Sequence, residues 1–273
     1  MGTIGIDVGA TLCKIAVPSQ SERFVSLRSS DVGAILARVR ASGATHVVVT
    51  GGGAQSLGNT IEGVEVETIS EFDALASGVR QLATEAGFRL PTRVLAVSVG
   101  TGTSIVRVDD GPAVRVGGTA VGGGTMLGLA RLLLGTDTFA DVVALAAEGD
   151  RRRVDLLVGE VYGAGAAPAM IHDLTASNFA KLDSTAPADV AHAIVGMVGE
   201  TVALVAGALA RAEGADAVVY CGTTLAGNEP LAEIVRAITG HFGHESRVLP
   251  NGAFCGALGC VAASVASDET AER

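Results

Sequence analysis

The apolar and polar positions of the chain fall into two passages of similar layout. In the first, Met1 to Asp7 alternates into a β-branched run, Gly9, Ala10 and Thr11 form a small-residue turn, and Leu12 to Val17 returns as a second strand. That pattern predicts a hairpin. Phe24 to Leu27 predicts a third strand. Asp31 is placed to cap a helix running to about Ala41, and "THVVVTGGGA" predicts a buried strand ending in a glycine turn. Ser70 is placed to cap "EFDALASGVRQLATEAG", which closes at Gly87.

After Pro91 the layout restarts. "TRVLAVSVGTGTSIVRVDDGPAVRV" predicts strand, glycine turn, strand, Asp-Gly turn and strand, a second meander whose first turn is again rich in Gly and Thr. "GGTAVGGGTMLGLARLLLG" predicts a glycine turn opening an apolar helix, with further helix to about Gly149. "RRRVDLLVGEVYG" and "LTASNFAKL" read as irregular or short helical pieces. A long apolar helix over about 188–212, the strand "DAVVYCG", a helix near Glu229 to Gly240, a strand from Ser246 to Leu249 and a last helix from about Ala253 follow; "SDETAER" reads as a frayed polar tail. The expectation is an α/β protein of two similar halves with a cleft between them, residues 1–90 and 91–273, with no short-period repeat.

Composition narrows the classes of function. A length of 273 residues suffices for two modest cores, and 37 glycines with no Trp point to close backbone packing and tight turns. The formal charge of −10 leaves no cationic surplus for nucleic acid or an anionic membrane, so an anionic substrate needs a local cationic pocket. Cys13, Cys221, Cys255 and Cys260 show neither Cys-x-x-Cys pairing nor a neighbouring His cluster, which disfavours zinc and a disulfide scaffold. The apolar stretch Ala191 to Ala212 carries His192, Glu200 and Arg211, and reads as a core helix rather than a membrane span. No signal-like segment opens the sequence, and the expected location is the cytoplasm.

Five stretches are suited to chemistry. In "DVGATLCK", the amides of Gly9, Ala10 and Thr11 are placed to converge on phosphate oxygens, Lys14 to neutralise them, and Asp7 to hold Mg²⁺ directly or through water. Walker and Rossmann readings fail, because both require a helix where "KIAV" continues as strand; an ordinary tight hairpin stays open as an alternative. Lys14 is one of only two lysines, the other being Lys181, in a chain that otherwise uses Arg. In "SVGTGTSI", Gly100 and Gly102 permit close approach while Thr101, Thr103 and Ser104 offer hydroxyls. Gly122, Gly123, Gly124 and Thr125 open a helix, and a helix N-terminus behind glycines suits an anionic ligand. Glu71 sits in the first turn of its helix, as a dipole-stabilised carboxylate or as a proton acceptor; Asp73 faces elsewhere, toward solvent. Arg115 ends a strand beside a glycine turn, either as a surface residue or as a bidentate clamp for carboxylate or phosphate.

Taken in order, "GIDVGATLCKIAV", "ISEFDALASG", "VSVGTGTSIV", "RVGGTAVGGGTMLGLARLLLG", "DLTASNFAKL", "CGTTLAGNEPL" and "NGAFCGALGC" resemble the type II pantothenate kinases of the acetate-and-sugar-kinase/Hsc70/actin superfamily, over nearly the whole chain. The resemblance implies two duplicated actin-like (ribonuclease H-like) domains with ATP in the cleft, a homodimer, and ATP-dependent phosphorylation of pantothenate to 4'-phosphopantothenate, the first step toward coenzyme A. It implies that Gly9, Ala10, Thr11 and Lys14 contact the β- and γ-phosphates with Asp7 near Mg²⁺, and that Glu71 is the general base. Thr101 and Arg115 would engage the substrate and the transferring phosphoryl group. Gly100, Gly102 and Gly122 to Thr125 would surround the nucleotide, with Gly222 on the adenine side. Two departures from the family pattern stand out: Ala10 replaces a second glycine, which requires a negative φ there, and "APAMIH" lacks the usual Pro-Gly. The alternatives are a kinase of the same fold acting on pantetheine or a sugar, and a catalytically silent nucleotide-binding regulator.

Overall fold

The computed structural model describes residues 2–58, 60–61, 63–163 and 172–271, with side chains for all of these except 60 and 265–271. The "APAM" and Ile171 part of the second departure lies outside the described residues.

The first half opens with β1 (Thr3–Val8), β2 (Leu12–Ala16) and β3 (Phe24–Arg28), followed by α1 (Val32–Ser42), β4 (His46–Thr50), β5 (Thr60–Ile61), β6 (Val64–Thr68) and α2 (Glu71–Glu85). Its sheet runs β3-β2-β1-β4-β6-β5. The β1–β2 and β2–β3 pairs are antiparallel, while β1–β4 and β4–β6 are parallel. The second half repeats the plan with β7 (Val94–Val99), β8 (Thr103–Val108) and β9 (Val114–Thr119). Next come α3 (Gly123–Leu134), α4 (Phe139–Glu148), β10 (Leu156–Leu157), α5 (Val158–Tyr162), β11 (Thr175–Ser177) and α6 (Pro187–Glu213). It closes with β12 (Ala217–Cys221), α7 (Glu229–His241), β13 (Glu245–Val248) and α8 (Cys255–Ala271). Its sheet runs β13-β12-β7-β8-β9, again three antiparallel strands flanked by two parallel ones. The duplication expected from the two meanders is thus present in five strands of each sheet, with β5 added antiparallel to β6 at the edge of the first.

The long helix α6 is apolar enough in composition to cross a membrane, yet two thirds of its most apolar window is buried inside the fold. Val195, Val198, Val202 and Ala206 are fully buried and pack with Leu95, Val97 and Ile105 of the second sheet. On the first sheet, Ile4, Ile6 and Ile15 pack against Ile35 and Val39 of α1.

A third core joins the halves. Leu75, Val79 and Leu82 of α2 meet Val94, Ala96 and Val106 of the second sheet, together with Ala257 and Leu258 of α8. Helix α8 in turn lies on the first sheet, where the Cys260 thiol contacts the Ile6 carbonyl. Each half therefore sends its last helix onto the sheet of the other. The two helices cross at small residues: a Cβ on Gly259 would overlap the Ala74 carbonyl, and one on Gly78 the Cys255 carbonyl. That contact fixes the N-terminus of α2, and Glu71 with it, against the cleft.

Several elements differ from expectation. The apolar pattern does not announce strand β6, "VEVET", because its outward glutamates dilute the signal; it pairs with β4 in register Val47↔Val66. The stretch read as irregular holds the small β10–β11 sheet as well as short helices. Helix α8 continues to Ala271, through most of the expected polar tail.

Candidate active site

The first hairpin places its chemistry by register. Asp7 pairs with Lys14, and Lys14 with Ser26, so their side chains form a row on one face of the sheet. The Lys14 ammonium lies 2.9 Å from Asp7 Oδ2 and 3.2 Å from the Leu12 carbonyl. The turn is closed by Gly9 N–H donating to Leu12 O, with the Ser29 hydroxyl on the Gly9 carbonyl. Ala10 is exposed and is absent from the non-glycine residues of positive φ, which among the described residues are Phe179, Leu182 and Asn251. Its methyl is therefore accommodated. The Asp7 carboxylate packs at the start of α8, where a Cβ on Gly256 would come within 2.8 Å of Oδ2.

The second hairpin faces the first. Thr101 Oγ1 lies 3.1 Å from Thr11 Oγ1, joining the two glycine turns across the cleft. Ser98 and Ser104 pair across β7 and β8 and line the cleft, and the Ser104 hydroxyl is buried with no hydrogen-bond partner. Gly123 N–H donates to the Gly100 carbonyl and Gly124 N–H to Thr101, so the first amides of α3 hold this turn. The glycine run is required for that approach: a Cβ on Gly122 would reach Gly102 Cα at 2.8 Å, and one on Gly124 would reach Thr101 Cγ2 at 2.8 Å.

Between the hairpins is a cleft of about 710 Å³, within the range of small-molecule sites. Asp7, Gly9, Ala10, Thr11, Lys14, Glu71, Gly100, Thr101, Gly102, Gly123 and Gly124 all line it. Gly222 borders a smaller adjoining pocket that shares Asp7, Lys14 and Glu71. Gly122 and Thr125 lie behind the lining, where Thr125 Oγ1 accepts from Gly122 N–H and donates to the Ala120 carbonyl. Arg115 is outside the lining and exposed, beside a bulge in β9 between its pairings with Val106 and those with Ile105. A bulge re-aims the side chain next to it, and the Arg115 charge is felt at Glu71.

Glu71 is the first residue of α2, capped by Ser70, whose hydroxyl accepts from Asp73 N–H. It opens to the cleft, yet protein around its carboxyl raises the pKa above the ordinary 4.5. Burial is the largest cause and the Asp7 charge adds to it, while Lys14 and Arg115 oppose. That is the environment of a carboxylate tuned toward accepting a proton. Asp73, expected to face only solvent, instead has Oδ1 3.4 Å from the Ala113 N–H of the second half.

Ser26, Ser98, Leu127, Phe139, Thr224 and Phe254 also line the cleft, beyond the residues expected from the sequence. Ser98 left a signal, as the one polar residue in "VLAVSV". Leu127 and Phe139 left none, since an apolar residue at a cleft mouth looks the same in sequence as one in a core. No group of three or more His, Cys, Asp or Glu suited to a metal occurs among the described residues. The donor set at Asp7 is a single carboxylate, which fits Mg²⁺ held largely by substrate phosphates and water.

Comparison with known proteins agrees with this fold. The family model described as Fumble matches residues 19–263. A type II pantothenate kinase of Bacillus anthracis is 34% identical over 267 residues, covering 95% of this chain and 96% of the relative. One of Staphylococcus haemolyticus is 34% identical over 264 residues, covering 94% and 98%. Among solved structures, the activator of 2-hydroxyisocaproyl-CoA dehydratase from Clostridium difficile with bound ADPNP is similar in fold, with TM-score 0.64 at 17% identity over 100% of this chain and 98% of that one. A glucokinase of the ROK family from Streptomyces griseus, in complex with glucose and AMPPNP, has TM-score 0.55 at 15% identity over 95% and 98%. With the family model and near-full-length relatives in agreement, the chain belongs to the Fumble family, among the type II pantothenate kinases.

Proposed function

We propose that this chain transfers the γ-phosphoryl group of ATP to the primary hydroxyl of pantothenate, and that the cleft between the two hairpins is where it does so. The observation that carries the reading is the convergence of Asp7, Lys14 and Glu71 on one cavity, in a chain whose relatives along nearly its full length are type II pantothenate kinases.

The chemistry follows from the side chains. Phosphoryl transfer depends on positioning and charge neutralisation more than on covalent help. Lys14 and the amides of the Gly9–Thr11 and Gly100–Gly102 turns would hold the phosphates, and Thr11 and Thr101 would bracket them. Glu71 would orient the acceptor hydroxyl and take its proton as the new P–O bond forms. Arg115 would meet negative charge on the acceptor or the phosphoryl group. Mg²⁺ would be held by Asp7 and would supply charge neutralisation on the phosphates. Residues 1–90 and 91–273 would be the two halves that close on the ligands, with α8 as the return strap between them. A cytoplasmic homodimer completes the reading; light scattering showing the mass of one chain would overturn the dimer.

The test is ATP consumption with pantothenate, pantetheine and a glucosamine-type sugar as acceptors, for the wild type and Glu71→Gln. The expected result is turnover on pantothenate and a loss of at least about a hundredfold in Glu71→Gln, the scale of a general base. Activity within a few-fold of wild type in Glu71→Gln overturns the assignment of the base. Turnover on another acceptor alone overturns the substrate.

A further inference from the structure

Helix α2 and strand β9 belong to different halves of the molecule, yet Glu71 and Arg115 must act on one acceptor. We propose that Asp73 is a positioning residue, clasping the first turn of α2 to the β8–β9 turn and thereby setting the spacing between Glu71 and Arg115. This inference rests on the assignment of those two residues to the acceptor site.

The clasp consists of two hydrogen bonds from one helix face. Asp73 Oδ1 accepts from Ala113 N–H at 3.4 Å. Seven residues further on, and so on the same face of the helix, Arg80 Nη2 donates to the Asp109 carbonyl. The two contacts grip opposite ends of the turn 109–113. That turn is rigid in its own right: Gly111 N–H donates to Asp109 Oδ1 at 3.1 Å. Asp109 Oδ2 lies 3.1 Å from Arg107 Nε and 3.5 Å from Arg93 Nε. A braced turn transmits the position of whatever holds it.

The lever arms are short on both sides. Glu71 precedes Asp73 by two residues, which places it about 200° around the helix, and it lines the cleft whereas Asp73 does not. Arg115 follows Ala113 by two residues of extended strand, just before the bulge. One cross-half hydrogen bond is therefore separated from each of the two groups by only two residues. The phosphate hairpins meet elsewhere, through Thr11 and Thr101, so the clasp acts on the acceptor side of the cleft and leaves the nucleotide side unaffected.

An aspartate at the third position of a helix also has a general role, favouring the dipole by its negative charge. The two roles separate by chemistry. Asp73→Asn keeps a carbonyl oxygen able to accept from Ala113 N–H and loses the charge; Asp73→Ala loses both. The experiment is steady-state kinetics with ATP and pantothenate on the full chain, with thermal melting of each variant.

In Asp73→Ala, kcat is expected to fall roughly 5–20-fold and KM for pantothenate to rise, because a misplacement well under 1 Å costs part of the about hundredfold that 1 Å can cost. KM for ATP is expected to stay within about twofold, and Asp73→Asn to recover most of the loss. Arg80→Ala, which leaves the first turn of α2 untouched, is expected to act in the same direction and decides the matter if Asp73→Ala does not fold. Unchanged kinetics in Asp73→Ala, equal impairment in Asp73→Asn and Asp73→Ala, or a rise in KM for ATP matching that for pantothenate would each overturn the clasp. Glu71→Gln and Arg115→Ala run in the same assay keep the two readings apart. If both stay active, the site assignment fails; if both lose activity while Asp73→Ala behaves as wild type, only the clasp fails.

Discussion

The crossing of α2 and α8 gives a sharp quantitative expectation. In Gly259→Ala, the new methyl would overlap the Ala74 carbonyl oxygen and stand 2.6 Å from its carbon and 2.9 Å from the Gly78 amide nitrogen. Ordinary contact begins at about 3.5 Å, so relieving the overlap with the carbonyl oxygen requires the helices to separate by nearly 2 Å. All three contacts are backbone, and no side chain can turn aside to absorb the strain. Overpacking of this kind costs about 1–3 kcal/mol. At roughly 2–4 °C per kcal/mol for a chain of this size, the melting temperature should fall by about 2–12 °C. Because α2 begins at Glu71, kcat should fall as well, by about tenfold.

Differential scanning fluorimetry and a coupled ADP-release assay measure the two effects. Gly128→Ala is the control: Gly128 lies in α3, is exposed, and has nothing within 4 Å of a new Cβ. There the substitution only improves helix propensity, by about 0.5–1 kcal/mol, and the melting temperature should rise slightly. A Gly259→Ala protein melting within 1 °C of wild type with unchanged kcat would refute the claim that this crossing positions the base.

Three further outcomes are expected. Lys14→Ala should raise KM for ATP about tenfold, the worth of one charge-assisted contact, while melting changes little; unchanged ATP kinetics would remove Lys14 from the phosphate site. The base works as the carboxylate, and burial together with Asp7 disfavours that charged form, so kcat/KM should fall with decreasing pH through a value above the ordinary 4.5; Arg115→Ala, which removes an opposing cause, should move that limb higher still, and a limb at or below 4.5 would contradict the assignment. All four cysteines are buried. Burial pushes the Cys13 thiol up to about 12 and also raises Cys260, while Cys255 is raised by its hydrogen bond to Cys221 and by burial. An aromatic disulfide reagent at neutral pH should therefore label less than one equivalent until the protein is denatured, and fast labelling of the native chain would contradict this burial.

Legibility in the sequence followed locality. The hairpins were readable because a turn of Gly9, Ala10 and Thr11 between alternating strands is a local signal, and so was the Ser70 cap in front of Glu71. Strand β6 was not readable, because Glu65 and Glu67 face outward and its pairing with β4 comes from residues about twenty positions away. The contact of Asp73 is hidden in the sequence for a related reason. Helical spacing correctly turned it away from Glu71, but nothing local announced that the β8–β9 turn of the other half would lie against it.

By itself, the sequence determined the duplicated strand-turn-strand plan, the absence of a helix after the first phosphate turn, and the residue types able to neutralise phosphate and accept a proton. These follow from periodicity, turn chemistry and charge, which act over a few residues. The tertiary structure alone decided that Thr11 meets Thr101 across 90 positions, that α2 and α8 exchange sheets, and that Arg115 stands back from the cleft beside a bulge. Those relations depend on which surfaces are buried against each other, and burial is a property of the packed chain that no short stretch of sequence carries.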